Sequence, residues 1–287
     1  MVRTTAFRAD NGGSIPPGDS VPSHRDAGES KGALRPELIG MSGLVYIAVL
    51  AALCAGAPTA HAETDFASKD ELSQWMTYFY LKPDRERVPA AVQYYANSDL
   101  FQKKNTRAPM ATFIACQFKR DPEVMERTFK QVAAEGSANA KTFLMNALWF
   151  TNTERSRQLL DKAGTGWSLE ETTQAIYQQI KGVAPYDPLH DEISNGRGLD
   201  QLWAIFMATG DAAPVKRIID VLPRLVESHD EDIIIGGAAR WSLTSNARQH
   251  KRVYDICREE LQRRNGTVKR LLEEVLRDAG SPASGSK

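Results

Sequence analysis

Hydrophobic residues recur at intervals of three and four positions through most of the chain. Since a helix turns once in 3.6 residues, this spacing places them on one side of an amphipathic α-helix. The only run that resembles a strand, Ile233-Ile234-Ile235, is too short for a sheet and is predicted to begin a helix. The pattern predicts about twelve helices. The clearest stripes are Leu72, Trp75, Met76, Phe79; Leu199, Leu202, Trp203, Phe206, Met207; Val215, Ile218, Ile219, Leu222; and Val268, Leu271, Leu272, Val275, Leu276.

Residues that favour helix ends flank several of these stripes. Capping residues lie before them, and glycines such as Gly136 and Gly210 follow them. An N-cap side chain accepts hydrogen bonds from the free backbone N–H groups of the first turn. The predicted caps are Ser68 with Glu71, Ser168 with Glu171, and Asp121 before Pro122.

Four helical segments resemble one another, each with an aromatic residue near a helix end, a short polar turn and a second aliphatic helix. They cover residues 116–129, 148–160, 205–219 and 240–256, with 32 positions from Phe118 to Phe150 and 35 from Phe206 to Trp241. Such spacings are typical of helix-pair repeats stacked as a solenoid. The tetratricopeptide pattern is not satisfied. We therefore predict one all-α domain over 63–280, an irregular α-solenoid-like array of helical hairpins, with a disordered tail at 281–287.

An uncharged run from Leu38 to Ala60 precedes this domain. Its most apolar part, residues 44–57, is about fourteen residues long, the length of a signal-peptide core. Ala60 and Ala62 are small residues at the two positions that a signal peptidase reads. We therefore predict a signal peptide at 41–62, cleaved after Ala62, and a periplasmic protein.

There are two alternatives to cleavage after Ala62. Lipid attachment at Cys54 is disfavoured by bulky Leu53, because a small residue should precede a lipidated cysteine. An uncleaved membrane anchor at 38–60 stays open, since the run has the ~20 residues that a spanning helix needs. Lys31 and Arg35 would then lie on the cytoplasmic side, with the rest of the chain facing the periplasm.

Residues 1–40 are rich in glycine, proline, serine and charges of both signs, a composition typical of disorder. Met41 stands directly before the apolar core, so translation could begin at or near it. A start at Met41 leaves no lysine or arginine before the core, whereas a start slightly upstream includes Arg35.

Charge restricts the class of partner. The chain has 36 basic and 36 acidic residues, and the first 62 residues contain five of each, so 31 of each remain after cleavage. This balance argues against nucleic acid, whose phosphates require a basic surface, and against a polybasic membrane surface. Of the remaining cysteines, Cys116 and Cys257, neither belongs to a CxxC pair, and we favour buried thiols over a disulfide.

The segment WSLTSNARQH, residues 241–250, carries an unusual density of polar side chains. In one interpretation, Asn246, Arg248 and His250 form a polar cluster that, together with Trp241, binds a partner or ligand. In the other, Asn246 caps a helix, Arg248 lies in solvent and Trp241 belongs to the core.

Two histidines lie in acidic surroundings, in 190–192 and in 229–232. A metal-dependent or hydrolytic enzyme built around His190, His229 and His250 would require ligand atoms about 2.0 to 2.6 Å from a common ion. Adjacent residues of a loop rarely converge in this way. No HExxH, GxSxG or glycine-rich phosphate loop is present, so we predict no catalytic residue, metal or cofactor.

Aromatic residues crowd the first predicted helix pair. Tyr78 and Tyr80 fall on opposite sides of their helix, and Tyr94 and Tyr95 follow in the next one. Core packing is one interpretation, and a concave aromatic surface for a peptide or a partner helix is the other.

The segments YFYLKPDRERVPAAVQYY (78–95) and AARWSLTSNARQH (238–250) resemble parts of uncharacterised exported helical proteins of Gram-negative bacteria. The resemblance covers most of residues 68–278. It implies a bacterial source and a periplasmic or envelope location, and it assigns no catalytic residue. Together these features predict a non-catalytic helical-repeat protein that binds another protein or peptide in the cell envelope.

Overall fold

A computed structural model describes residues 65–280. This part of the chain forms twelve α-helices and three 3₁₀ helices and contains no strand, which confirms the predicted all-α array. The predicted leader, the signal peptide with Ala60 and Ala62, the anchor at 38–60 and the tail at 281–287 lie outside the described residues. The α-helices are α1 Lys69–Tyr78, α2 Val88–Asn97, α3 Lys104–Arg120, α4 Pro122–Glu135, α5 Ala138–Thr151, α6 Glu154–Gly166, α7 Glu171–Ile180, α8 Gly196–Thr209, α9 Ala212–Ile219, α10 Asp230–Gln249, α11 Lys251–Leu261 and α12 Gly266–Ala279; the 3₁₀ helices are Arg85–Arg87, Asp99–Gln102 and Leu222–Val226.

Two of the three predicted caps are confirmed. Ser68 Oγ accepts the N–H of Glu71 at 3.1 Å, and the Asp121 carboxylate accepts two N–H groups at the start of α4. The capping box predicted at Ser168 is wrong, because α7 begins at Glu171. Its N-cap residue is Glu170, whose side chain makes no capping hydrogen bond. Leu169 packs against the core in a non-helical segment, so the helix begins later.

Helix α3 is central to the first part of the array. It packs most extensively on α8 and also along α5, although α8 lies far from it in sequence. Two buried glutamines fix the α3–α8 contact: Gln117 donates to the carbonyl of Ala208, and Gln201 donates to Thr112 Oγ1 at 2.9 Å. Because buried amides need such partners, they favour one alignment of the two helices. The array is therefore irregular, with contacts beyond neighbouring hairpins.

Helix α10 organises the last part. It packs on the 3₁₀ helix Leu222–Val226, on α11 and on α12. One side of α10 is buried through residues such as Ile235, Ala239 and Leu243, while Ile234 and Trp241 lie outside. The triplet Ile233-Ile234-Ile235 lies in the first turns of this helix, as predicted. The fold thus leaves the opposite side of α10 uncovered.

Two further features bear on location and redox state. Among residues 65–280, no helix combines the length and the apolar character that crossing a bilayer requires. Cys116 and Cys257 are free thiols, half-buried and buried respectively.

Candidate functional site

The outward side of α10 carries a stripe at helical spacing. It contains Ile234, Gly237, Trp241, Ser245 and Arg248, which recur every three or four residues. Residues spaced in this way lie above one another on a helix. The stripe is therefore a continuous strip along α10.

The part of this strip from Gly237 to Arg248 forms the floor of an open groove, which we call the α10 groove, and Ile234 lies about one helical turn before it on α10. The groove has a volume of about 700 Å³ and runs between the 3₁₀ helix Leu222–Val226 and the end of α12. Its lining residues are Leu225, Gly237, Arg240, Trp241, Thr244, Ser245, Arg248 and Asp278.

Two consecutive glycines shape the α10 groove. A Cβ at Gly236 would lie 2.1 Å from the backbone nitrogen of Leu225, so only glycine permits α10 to approach the 3₁₀ helix this closely. A Cβ at Gly237 would meet only Leu225 Cδ1, at 3.8 Å. Gly236 therefore allows the 3₁₀ helix Leu222–Val226 to pack closely against α10, and Gly237 leaves the groove floor open beside Trp241.

Charged residues of both signs form the rim. Arg240 pairs with Asp278 at 2.9 Å and with Glu274 at 3.3 Å, and Arg248 donates to the backbone carbonyl of Asp278. These contacts tie α10 to the end of α12. Arg240 is paired with carboxylates, whereas Arg248 bonds a backbone carbonyl and keeps its positive charge, so the rim presents charges of both signs.

Apolar side chains are unusually exposed at and next to the α10 groove. Trp241 is 55% exposed and Ile234 is 69% exposed. Seven large hydrophobic residues are exposed within residues 65–280, and four of them lie in this region. These four are Trp241, Ile234, Val226 and Ile233. Clustered exposure of this kind marks interaction sites, whereas single exposed residues do not.

A second cluster, which includes three of the predicted residues, surrounds the buried His250. The Tyr80 hydroxyl lies 3.2 Å from His250 Nδ1, and the rings of Tyr78 and Phe206 pack against the imidazole. His250 is only 1% exposed, and this burial lowers its pKa to about 4. The imidazole is therefore neutral near pH 7, and its Nε2 has no partner among the described residues. The cluster joins α1 to the α10–α11 junction and presents no accessible base.

Removal of the Tyr80 hydroxyl tests this structural role. Tyr80→Phe leaves the buried imidazole without its one hydrogen bond, and we expect the free energy of unfolding to fall by about 1–2 kcal/mol. Tyr78→Phe is the matched control, because the Tyr78 hydroxyl has no hydrogen bond in the described part of the chain. Urea denaturation measures both, and equal effects of the two substitutions would contradict the assignment.

The other predicted site residues are placed differently. Tyr94 is half-buried against Phe66, and Tyr95 is buried with its hydroxyl 2.8 Å from Thr106 Oγ1. Of the four tyrosines only Tyr78 is exposed, so they do not form one concave surface. Asn246 is also buried, where it donates to the carbonyl of Ser242 within α10 and neither caps a helix nor faces the α10 groove.

The three histidines lie in separate surroundings. His190 is exposed and bonds Asp187 at 2.8 Å, and His229 is exposed beside Ser228. Within residues 65–280 no group of three histidine, cysteine or acidic side chains could hold a metal ion. Burial raises the pKa of Cys257 to about 12, so this thiol is not an activated nucleophile.

Sequence reasoning found Trp241 and Arg248 of the α10 groove but missed Leu225, Gly237 and Asp278. The spacing of Gly237, Trp241 and Arg248 was a usable signal for the floor, whereas the walls come from distant segments. Comparisons with protein-family models, curated proteins and solved structures find no match for this chain.

Proposed function

We propose that this protein is an exported, non-catalytic binding module of the bacterial periplasm. Its α10 groove would hold an amphipathic helical segment of another envelope protein. The observation that carries the proposal is the half-exposed indole of Trp241 on the outward strip of α10. Tryptophan often contributes a large share of binding free energy when a partner desolvates it.

The dimensions of the strip favour a helical partner. Fourteen residues separate Ile234 from Arg248, which corresponds to about 21 Å along a helix. A helix bound in a groove uses apolar residues at i, i+3 or i+4, and i+7. Ile234 and Trp241 are two such turns apart, with open Gly237 between them. The mixed rim suits a partner whose apolar side is flanked by charges of both signs.

The helix-pair repeat belongs to the same proposal. The turns at Asp121, Asn152, Gly210 and His250 each join two consecutive helices within one of the four similar segments. This regularity supports a repeat, although α3 also contacts distant α8. Export is supported by the apolar run at 44–57 and by the small residues Ala60 and Ala62.

Substitution at the floor of the α10 groove tests the proposed function. We expect Trp241→Ala to weaken binding of the envelope partner by about 30-fold or more, the effect of a hot-spot residue. Ile234→Ser, one helical turn before the groove floor, should weaken binding by a smaller factor. The wild type and each variant are immobilised, and the proteins that each retains from an envelope extract are compared. The retained partner is then purified and its affinity for each protein is measured by titration.

Val183→Ser is the matched control. Val183 is 55% exposed, like Trp241, but lies in the α7–α8 loop and does not line the α10 groove. Its substitution should leave binding unchanged. If the Trp241→Ala variant binds the partner with the same affinity as the wild type, the α10 groove is not the binding site. If Trp241 instead mediates self-association, light scattering would show a dimer that the variant lacks, and the envelope partner would be refuted.

A further inference from the structure

A second groove lies on another part of the molecule, between α3, α5, α7 and the start of α8. We call it the α3–α7 groove, and its volume is about 380 Å³, within the range of small-molecule sites. It shares no lining residue with the α10 groove. Its lining residues are Phe101, Lys104, Arg107, Ala108, Ala111, Thr142, Phe143, Asn146, Trp149, Phe150, Ile176, Gln179, Ile180 and Arg197.

The floor of the α3–α7 groove is apolar and aromatic. Trp149 and Phe150 are half-buried, with ring centroids 4.9 Å apart, and Phe143 is buried in the core. Ile176 of α7 also lines the groove and is half-buried against the core. An apolar chain lying here would remove several half-exposed side chains from water, which is favourable in proportion to the area covered.

Polar groups on the floor already donate within the protein. Trp149 Nε1 donates to the carbonyl of Val183 at 2.7 Å, and Asn146 Nδ2 donates to the carbonyl of Thr142. The Thr142 hydroxyl contacts the hydroxyl of Thr173 at 2.7 Å. The floor therefore offers little directional recognition for a ligand rich in hydrogen-bonding groups, and it suits a hydrocarbon chain.

The rim carries three cations and no carboxylate. Lys104 and Arg107 belong to α3, and Arg197 begins α8. None of the three forms an ion pair within residues 65–280, whereas many other arginines of the domain do. Arg107 lies over the Phe101 ring at 4.6 Å and donates Nε to the Phe101 carbonyl, which leaves its terminal nitrogens available. In a chain of zero net charge, this is a local positive field above an apolar floor.

We propose that the α3–α7 groove binds a single-chain amphiphile with one anionic head group, a carboxylate or a phosphate. The alkyl chain lies over Trp149, Phe150 and Ile176. The head group contacts Lys104, Arg107 and Arg197, because charge-assisted hydrogen bonds to carboxylate or phosphate are the strongest contacts that these donors make.

Calorimetric titration of the purified exported protein tests this inference with four twelve-carbon probes, kept below the concentration at which they form micelles. Laurate and dodecyl phosphate carry anionic heads, dodecanol is neutral and dodecyltrimethylammonium is cationic. We expect an anion to bind one to one and dodecanol to bind at least about tenfold more weakly. The two anions distinguish a carboxylate ligand from a phosphate ligand. Binding should increase about fourfold per methylene from octanoate to laurate and decrease with added salt.

Removal of the rim charges provides the decisive variant. Lys104→Gln with Arg197→Gln alters two exposed side chains that have no partner within residues 65–280, so the fold should be preserved. We expect laurate binding to weaken about tenfold or more while dodecanol binding stays unchanged. Arg258→Gln with Lys269→Gln is the control, since it removes the same charge from exposed positions on α11 and α12.

Several results would overturn the inference. The first is an equal affinity for laurate and dodecanol, and the second is a Lys104/Arg197 variant that binds laurate as tightly as the wild type. The third is an equal loss of laurate affinity in the Arg258/Lys269 control, and the fourth is binding to micelles or anionic vesicles but not to single laurate molecules. Trp241→Ala should leave laurate binding unchanged. Failure here would therefore not affect the proposed protein-binding function, and failure of that function would not affect this inference.

Discussion

Replacement of Gly236 by alanine is expected to lower the free energy of unfolding by about 2–3 kcal/mol, the cost of severe overpacking. The new Cβ would lie 2.1 Å from the Leu225 nitrogen and 2.7 Å from the Arg224 carbonyl carbon. These are backbone atoms, so no side-chain rotation relieves the contact. The 3₁₀ helix Leu222–Val226 must instead move away from α10, which breaks one of the most extensive contacts in the fold.

Gly237→Ala is the matched control for that substitution. It lies one position along the same helix, and its Cβ would meet only Leu225 Cδ1 at an ordinary contact distance. Because alanine is the better helix former, we expect this variant to be more stable by about 0.5–1 kcal/mol. Chemical denaturation of both variants measures the difference. Equal stabilities would show that α10 and the 3₁₀ helix do not pack this closely.

The second large effect is a pH dependence in which Asp200 and His250 oppose each other. Asp200 lies on α8 without an ion-pair or hydrogen-bond partner in the described residues, and burial raises its pKa from 3.8 to about 6. Between these values the folded state holds a proton that the unfolded state has lost. Stability from Asp200 is therefore present at low pH and is lost as pH rises through about 6.

His250 contributes with the opposite sign. Burial lowers its pKa from 6.5 to about 4, so between these values the unfolded state binds a proton that the folded state does not. Its contribution is present above about pH 6.5 and is lost as pH falls towards 4. In the wild type the two contributions therefore offset each other over most of this range.

Single substitutions should separate the two contributions. Asp200→Asn is expected to stabilise the protein at pH 7 by about 2–3 kcal/mol, and this gain should vanish near pH 4. His250→Gln should remove the His250 contribution alone, so this variant should gain about 3 kcal/mol relative to the wild type as pH falls from 6.5 to 4. Urea denaturation of the three proteins at half-unit pH steps measures these differences. Parallel stability curves for the wild type and Asp200→Asn would show that the Asp200 carboxyl is not buried.

Many of the helices were predictable from the sequence because they carry a periodic apolar stripe, as α12 does. Asp121 could be assigned as a cap because the interaction is local, within three residues. The capping box predicted at Ser168 was wrong because a local capping rule takes no account of core packing, and Leu169 packs against the core in a non-helical segment.

The candidate site was less predictable because its walls come from distant parts of the chain. Periodicity indicates which side of a helix is apolar but not which helix covers it. The half-burial of Tyr80 and the full burial of Tyr95 therefore could not be assigned from the sequence. Trp241 had two interpretations because α10 has a buried side around Leu243 and an outward strip that contains Trp241. Only the fold shows that no other element covers the outward strip.

The most direct test of the central claim is site-specific photo-crosslinking in the native cells. A photoreactive amino acid is placed in the full chain at position 241, at position 234 or at control position 183, and adducts are identified after fractionation. We predict one envelope protein joined at 241 and 234 and absent at 183, with its crosslinked residue on an amphipathic helix. Identical adducts at all three positions, or none at 241 and 234, would contradict a binding function of the α10 groove.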